Sequence, residues 1–415
     1  MANALTGREI LVGLKKAADW RTAVACGATD GLLILSESFK QTLEHIDDDS
    51  AGLAFLQRTD QGKISAGGGM EAYMRYEGLD VLLALIMGTA GVPTQPNSLY
   101  TSVYKHVYVL ADNLSGLFAT VAMLKKSDKV FEYPSAKFHQ FGLSGEMNAP
   151  VKITVEGIAN LLELASAINT AETSVNITYP DKGNRIIFNK DAHFWLNDES
   201  GDALDADDAI KPSSFELSFN RPMEADFVAG NEDVDEPTGE GFPEITLTLN
   251  FPRYNDANHT FFTDWAAFTR KKMEILLQGS VFTAPTAPDD WVTETAYVLT
   301  DFAKPILEND YWYECTTAGT TAVPEPTWPT TVGETVSDGT AVWTCRASVY
   351  YYEFKLQFPN LKVIDPDAAI SGPGKIPVSL SFKVLATDSA PTGMTGITRP
   401  FQIDAQNTRT TNPLA

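Results

Sequence analysis

Aromatic residues crowd the stretch from about Ala284 to Ser348, where Trp291, Tyr297, Trp312, Trp328 and Trp343 stand among short runs of Thr and Pro. Exposed indole rings can stack on sugar rings, so Trp291, Trp312, Trp328 and Trp343 are the candidate glycan-stacking residues. The competing reading is core packing, which is favoured for any one of them because so short a segment has little else to bury. His45 beside Asp47, Asp48 and Asp49 could hold a divalent ion. The run lacks the order of acids and glycine that a calcium loop uses, so a solvated acidic loop is favoured. Gly372, Gly374 and Lys375 in SGPGKI lack the upstream glycine and following hydroxyl of a phosphate loop and read as a tight turn. Ser144 in GLSGE misses the spacing of a nucleophile elbow. Gly67 to Gly69 lie inside a strand pattern, where a bulge or close backbone packing is the better account. The five histidines, His45, His106, His139, His193 and His259, show no paired ligand spacing. No catalytic residue, cofactor or metal site is assigned, and enzyme is the last of the function classes.

Composition bounds the rest. The chain of 415 residues has room for two or three domains. Its 44% hydrophobic and 20% charged residues are those of a folded protein. The longest apolar run, VLLALIMGTAGV after Leu79, falls short of the roughly 18 residues that span a bilayer and reads as a buried helix. The N-terminal MANALTGREILVGLKKAADW offers only ILVGL as an apolar stretch and no small-residue cleavage site, so no signal peptide is expected and folding in the cytoplasm is. Three cysteines, Cys26, Cys315 and Cys345, are too few for a disulfide framework. Cys315 and Cys345 lie on strands near the two ends of the aromatic segment and could face each other; two thiols are the default. The net charge of -23 argues against tight nucleic-acid binding, though a duplex could slide past a wall that repels its phosphates. Sixteen acids fall between Asp191 and Glu244 against Lys211 and Arg221.

Period-two alternation dominates. Ile245, Leu247, Leu249 and Phe251 face one way in EITLTLNF, while Thr246, Thr248 and Asn250 face the other. SFELSFN, YEFKLQF and VSLSFKV alternate likewise, which describes antiparallel sheets with one buried side. The order of features then repeats. In the second half, SSFELSFNRP leads through an acidic loop to FPEITLTLNFPRY, a helix with Phe261, Phe262, Trp265 and Phe268 at helical spacing, KKMEILLQG, YYEFKLQFPNL and KIPVSLSFKVL. In the first half, GLLILSESFKQ leads through EHIDDDS to GKISAGGGMEAYMRY and a helix with Leu79, Leu82, Leu83 and Ile86. Strands near VYKHVYVLAD and LFATVAMLKK follow, then SAKFHQFGLSGEM and PVKITVEGIA. Both long strands end in Arg-Tyr and a turn, at Arg75-Tyr76 and Arg253-Tyr254.

These stretches, with YVLADNLSG, EYPSAKFHQFGLSG and IKPSSFELSFNRPMEADFVAGNEDVDEP, resemble the major tail tube proteins of long-tailed, siphovirus-type bacteriophages across most of residues 1–282 and 350–400. The resemblance implies a mainly β fold of two tandem tail tube β-sandwich or barrel units, each with a flanking helix. The expected division is 1–190 for the first unit, 191–283 with 349–400 for the second, 284–348 for an inserted small β-module, and 401–415 for a C-terminal arm. In that family, sheets of neighbouring subunits join edge to edge into rings that stack into a tube, which removes open edges. With two units per chain, three chains would complete a pseudo-sixfold ring.

The implied function is a structural virion protein, assembled in the host cytoplasm into the tail tube through which genomic DNA leaves without specific binding. Implied partners are further copies of the chain, a tape measure protein and tail-tip or terminator proteins. The aromatic spacing of the insert is similar to small carbohydrate-binding modules, with host surface glycans as the ligand implied. The insert is expected to project outward and to be dispensable for assembly. The lumen is expected to be net negative, lined by Thr246, Thr248 and Asn250 or by Glu71, Tyr73 and Arg75. Two other classes stay open: another tail ring component of the baseplate or terminator, and a carbohydrate-binding surface protein.

Overall fold

Alternating sequences that bury one face supply the long strands of the computed structural model, which describes residues 7–50, 55–126, 129–179 and 183–415. Residues 1–6 of the N-terminal stretch read above lie outside the described residues. The first half supplies β1 (Leu11–Lys16), β2 (Ser36–Glu37), β3 (Lys40–Asp47), β4 (Thr59–Tyr73), α1 (Asp80–Met87), β5 (Tyr104–Val109), β6 (Ala119–Lys126), β7 (Lys129–Glu146) and β8 (Lys152–Ala159). The short α2 (Ala171–Ser174) and α3 (Phe188–Asp191) lead into β9 (Ala192–Asp198), β10 (Ala209–Ile210), β11 (Ser214–Asn220), β12 (Met223–Glu224), β13 (Thr238–Gly239) and β14 (Glu244–Phe251). After α4 (Asp256–Ala267) come β15 (Arg270–Val281), then β16 (Ala296–Tyr297), β17 (Phe302–Ala303), β18 (Tyr311–Thr317), β19 (Gly319–Thr320), β20 (Thr335–Asp338) and β21 (Ala341–Ala347). β22 (Tyr351–Asp367), β23 (Val378–Leu385) and β24 (Gln402–Asn407) close the chain.

One 16-stranded sheet runs through both halves. In the first half the neighbours run β1–β6–β7–β8–β4–β3, and in the second β9–β15–β22–β23–β14–β11, every pair antiparallel. Both runs slip register at matching places. One slip is at Thr120 between β6 and β7 and at Lys272 between β15 and β22; the other is at His139 in β7 and at Ile364 in β22. Each slip is a bulge, which bends the strand and raises its twist.

The core lies on one side of this sheet. Leu247 and Leu249 of β14, Leu217 and Phe219 of β11, and Phe141 and Leu143 of β7 are buried, and Phe401 packs against Phe141 and Phe219. Each such side chain contributes about 1.5–3 kcal/mol over exposure. Helix α1, DVLLALIM, is apolar nearly all round and buried throughout apart from partly buried Val81, ending at Gly88 in the left-handed region. Helix α4 is amphipathic: Asn255 caps it by accepting from the Asn258 N–H, Phe261 is buried, and Trp265 is half exposed.

Polar groups taken into this interior are held. Asp80 at the start of α1 accepts from the Tyr108 hydroxyl at 3.0 Å and the Asn407 amide at 2.8 Å. The fully buried Lys272 ammonium donates to the carbonyls of Gly201, Asp202 and Thr392 at 2.8, 2.6 and 3.0 Å, tying two loops to the bulge in β15. Residues 402–407, expected within a C-terminal arm, instead form β24, paired to both β22 and β5. Its polar QIDAQN hides a strand because Asp404 and Asn407 are buried with partners, Lys105 at 2.8 Å and Asp80.

The insert begins where β15 and β22 still pair, at Val281 and Tyr351. It forms a four-stranded sheet in the order β17–β18–β21–β20 and the two-stranded β16–β19. Among the described residues no helix is long and apolar enough to cross a membrane.

At Gly68, φ is 155°, and a Cβ would meet the Phe39 nitrogen and Cα at 2.6 Å; at Gly67 it would meet the Gly157 carbonyl oxygen at 2.5 Å. Backbone of two neighbouring strands therefore occupies the space a side chain needs. Gly68→Ala is expected to cost about 2–3 kcal/mol by strain and overpacking, read as a lower urea midpoint at unchanged slope.

Candidate assembly surface

From β4 through β8, the C-terminal part of β7, β11 and β14 to β23, the side of the sheet opposite the core is polar and open. On β14, Thr246, Thr248 and Asn250 point there, beside Ser379, Ser381 and Lys383 of β23 and Ser214, Glu216 and Ser218 of β11. Small hydroxyl and amide groups bond across strands, Thr248 to Ser381 at 3.3 Å and Asn250 to Ser214 at 2.9 Å. In the first half, Glu71 and Tyr73 of β4 share this face, and Lys152 of β8 pairs with Glu71 at 2.7 Å. The carboxylates of Glu71, Glu146, Glu156, Glu216, Glu244, Asp365 and Asp367 outnumber the cationic groups of Lys40, Lys152, Lys362, Lys383 and Arg270 on it. Both sets of residues expected to line a lumen thus lie on one continuous polar face, apart from Arg75, which follows β4 and bridges to Arg185.

Within the chain the two halves join by strand pairing. β11 lies between β14 and the C-terminal part of β7, with Glu216 opposite Ser144, Leu217 opposite Leu143, and Ser218 opposite Gly142. The acidic loop after β11 reaches across this joint. Asp233 accepts from Arg21 at 2.9 Å, the Val234 carbonyl from the Trp20 indole at 3.0 Å, and Glu236 from buried Lys137 at 2.6 Å. The run that reads as solvated charge is therefore partly an interface. Burial disfavours the charged Lys137 ammonium, while the Glu236 carboxylate supports it.

Two edges of the same sheet carry no further strand among the described residues. β2 and β3 pair only with β4. On β22 the pairing to β15 ends at Lys362, leaving the side of Ile364 to Asp367 away from β23 without a neighbour. That edge carries Pro366, which has no N–H to offer. Leu43 and Ile46 of β3, with Phe55 and Leu56 before β4, are 41% to 84% accessible.

The aromatic candidates divide. Trp291 and Trp343 are buried, and both indoles donate to Asp338, at 2.7 and 3.2 Å. Trp312 is buried at the root of the insert, stacked on Tyr100 with ring centroids 6.0 Å apart. These three present no ring face to a sugar, because Trp291 and Trp343 pack in one apolar cluster and Trp312 in another. Trp328 is half buried, tilted on Tyr313 at 4.2 Å, with its indole on Glu325. The Tyr100 hydroxyl also donates to the Ser348 carbonyl at 2.6 Å, and Asn97 to that of Ala347, so the insert is anchored on the first half.

Cys315 and Cys345 are buried free thiols on neighbouring strands, opposite Trp343 and Tyr313 respectively, and burial raises both above the usual thiol range. Asp48 accepts from Ser50, which holds its carboxyl below the usual range, and His45 pairs with Gln61. Among the described residues, no group of three His, Cys, Asp or Glu is placed to hold a metal. Ser144 sits mid-strand opposite Lys152, and Gly372 to Lys375 form the exposed turn between β22 and β23. Sequence reasoning did not single out the edge residues Phe39, Lys40, Asp367 and Ala368. The signal was the placing of LSESFKQ beside SSFELSFN in the repeat.

A family model described as phage tail tube protein matches residues 7–384. No curated protein matches the chain.

Trp343→Ala is expected to destabilise the insert by about 3–5 kcal/mol, and Trp328→Ala by clearly less. Acrylamide quenching of the remaining tryptophans and thermal unfolding followed by fluorescence check the ranking.

Proposed function

Because this chain belongs to the phage tail tube protein family, a family of structural tail components, we propose that it polymerises into stacked rings that form the tail tube of a long-tailed phage virion. Three chains make each ring. The observation that carries this reading is the matched strand order of the two halves, with the same two register slips, joined through β11 and β7. Two tandem tube units per chain, the second interrupted by the 284–348 module, explain that match. Three such pairs give pseudo-sixfold symmetry.

The polar face lines the lumen. A sheet buried on one face must present the other to water, and a closed ring leaves its inner face wet. Its surplus of carboxylates repels phosphates, so genomic DNA passes without the counterion release that would hold it. The tape measure protein is the partner that occupies the lumen before DNA does, and terminator or tip proteins cap the two ends. The insert stands outside the wall, since among the described residues its strands pair with none of the main sheet. Host glycan binding there would fall to surfaces around Trp328 alone.

Two outcomes test this. Electron microscopy of purified tubes should show three chains per ring and a net negative lumen; six chains per ring, or a lumen dominated by Lys and Arg, overturns it. A chain in which a Gly-Ser turn joins Phe282 to Val349 should still form tubes. It should also lose stability, because Tyr100, Phe282 and Tyr350 lose their cover from Trp312. Loss of tubes from a folded monomer would make the insert an assembly contact.

A further inference from the structure

We propose that the joint between neighbouring chains repeats, residue for residue, the joint already made inside each chain: Ser36–Thr42 of one copy pairs antiparallel with residues 365–371 of the next, placing Lys40 opposite Asp367. This rests on the ring reading above and deepens it by naming the edges and their register.

The argument runs through matched strands. The bulge at His139 in β7 corresponds to the bulge at Ile364 in β22, so Gly142 corresponds to Asp367 and Leu143 to Ala368. Across the sheet, Gln140 faces Glu156 and Asp365 faces Ser381, and these partners in turn face Gly69 and Thr248. Gly69 bonds to Ser38 and Thr248 faces Glu216, so Ser38 corresponds to Glu216 and Lys40 to Ser218. Inside the chain Ser218 lies opposite Gly142. The same register between chains sets Lys40 against Asp367 and Phe39 against Ala368.

Chemistry at those positions fits a second copy. Lys40 and Asp367 are both exposed, and among the described residues neither has an ion-pair partner in its own chain. Their equivalents, Ser218 and Gly142, are neutral, so the pair of opposite charges belongs to this joint alone. Phe39 is buried and Ala368 half buried on the core side, a large residue facing a small one. Opposite charges directly across an antiparallel pair stabilise it, and like charges destabilise it. Both edges lack a neighbouring strand among the described residues, as β1 and β10 also do, and joining these two closes the sheet on itself.

Cysteine cross-linking reads the register. Directly opposed Cα atoms in an antiparallel pair lie about 4.5–5.5 Å apart, within disulfide reach. Cys26, Cys315 and Cys345 are buried, so the background is low. Tubes of full-length Lys40→Cys with Asp367→Cys, oxidised and run without reductant, should move most of the chain into covalent dimer and trimer. Gln41→Cys with Asp367→Cys, which puts the thiols on opposite faces, should leave monomer. Rings that form normally but do not link through 40 and 367, or that link through 41 and 367, overturn the register. Absence of rings from the unmodified protein instead overturns the ring reading. As a second arm, Lys40→Asp should raise the concentration needed for assembly up to about fivefold, the size of a cross-strand charge pair. Adding Asp367→Lys should restore it; no restoration overturns the pairing.

Discussion

A β-strand edge is a row of backbone donors and acceptors that must end in water, in a cover or in another strand. That requirement organises this molecule. Within one half, the run from β1 to β3 leaves the C-terminal part of β7 half paired, and β11 fills it from the other half. The acidic loop that follows β11 then locks the joint with Asp233 on Arg21 and Glu236 on Lys137. Residues that a composition count treats as solvated charge become the clasp of a sheet continued across the two halves of the chain.

The insert obeys the same rule from the other direction. Its first and last residues leave the main sheet between Val281 and Tyr351, a pair that would face each other in a plain hairpin, so the flanking ladder is undisturbed. Having removed itself from the main sheet, the segment must bury its own apolar surface. It does so with Trp291, Tyr313 and Trp343, the two indoles meeting at Asp338, and spends Trp312 on its seat against Tyr100. Aromatic spacing in a sequence reports that large rings are present. It does not report which side of a sheet each one occupies, and that decides between stacking on a ligand and packing in a core.

What the sequence made legible follows from where alternation survives. EITLTLNF, SFELSFN and VSLSFKV bury one face only, so their period shows and their strands are found where expected. QIDAQN is buried nearly throughout with polar residues satisfied by Lys105, Asp80 and the Tyr351 carbonyl, so no period shows, and a strand at the heart of the sheet reads as an arm. On the reading of two tandem units, element order carried the repeat, whereas the joint between halves did not show, because alternation specifies faces and leaves neighbours open. The matching bulges at His139 and Ile364 became visible only once strands could be compared across their partners.

Pro366 lies on the edge that awaits a neighbour, and it removes one N–H from the row. A pairing there is short by one hydrogen bond, about 1 kcal/mol, against the joint inside the chain. On the ring reading, that deficit bears on kinetics more than on the finished tube. Two chains meeting in solution hold by one weakened seam and part again. A third chain that closes the circle makes two seams at once, the second at high effective concentration. Open dimers would then stay scarce, and growth would start only where something already holds chains in a circle. On that reading the proline is a safety catch on polymerisation, set in the segment of β22 whose outer edge has no strand beside it until the ring is complete.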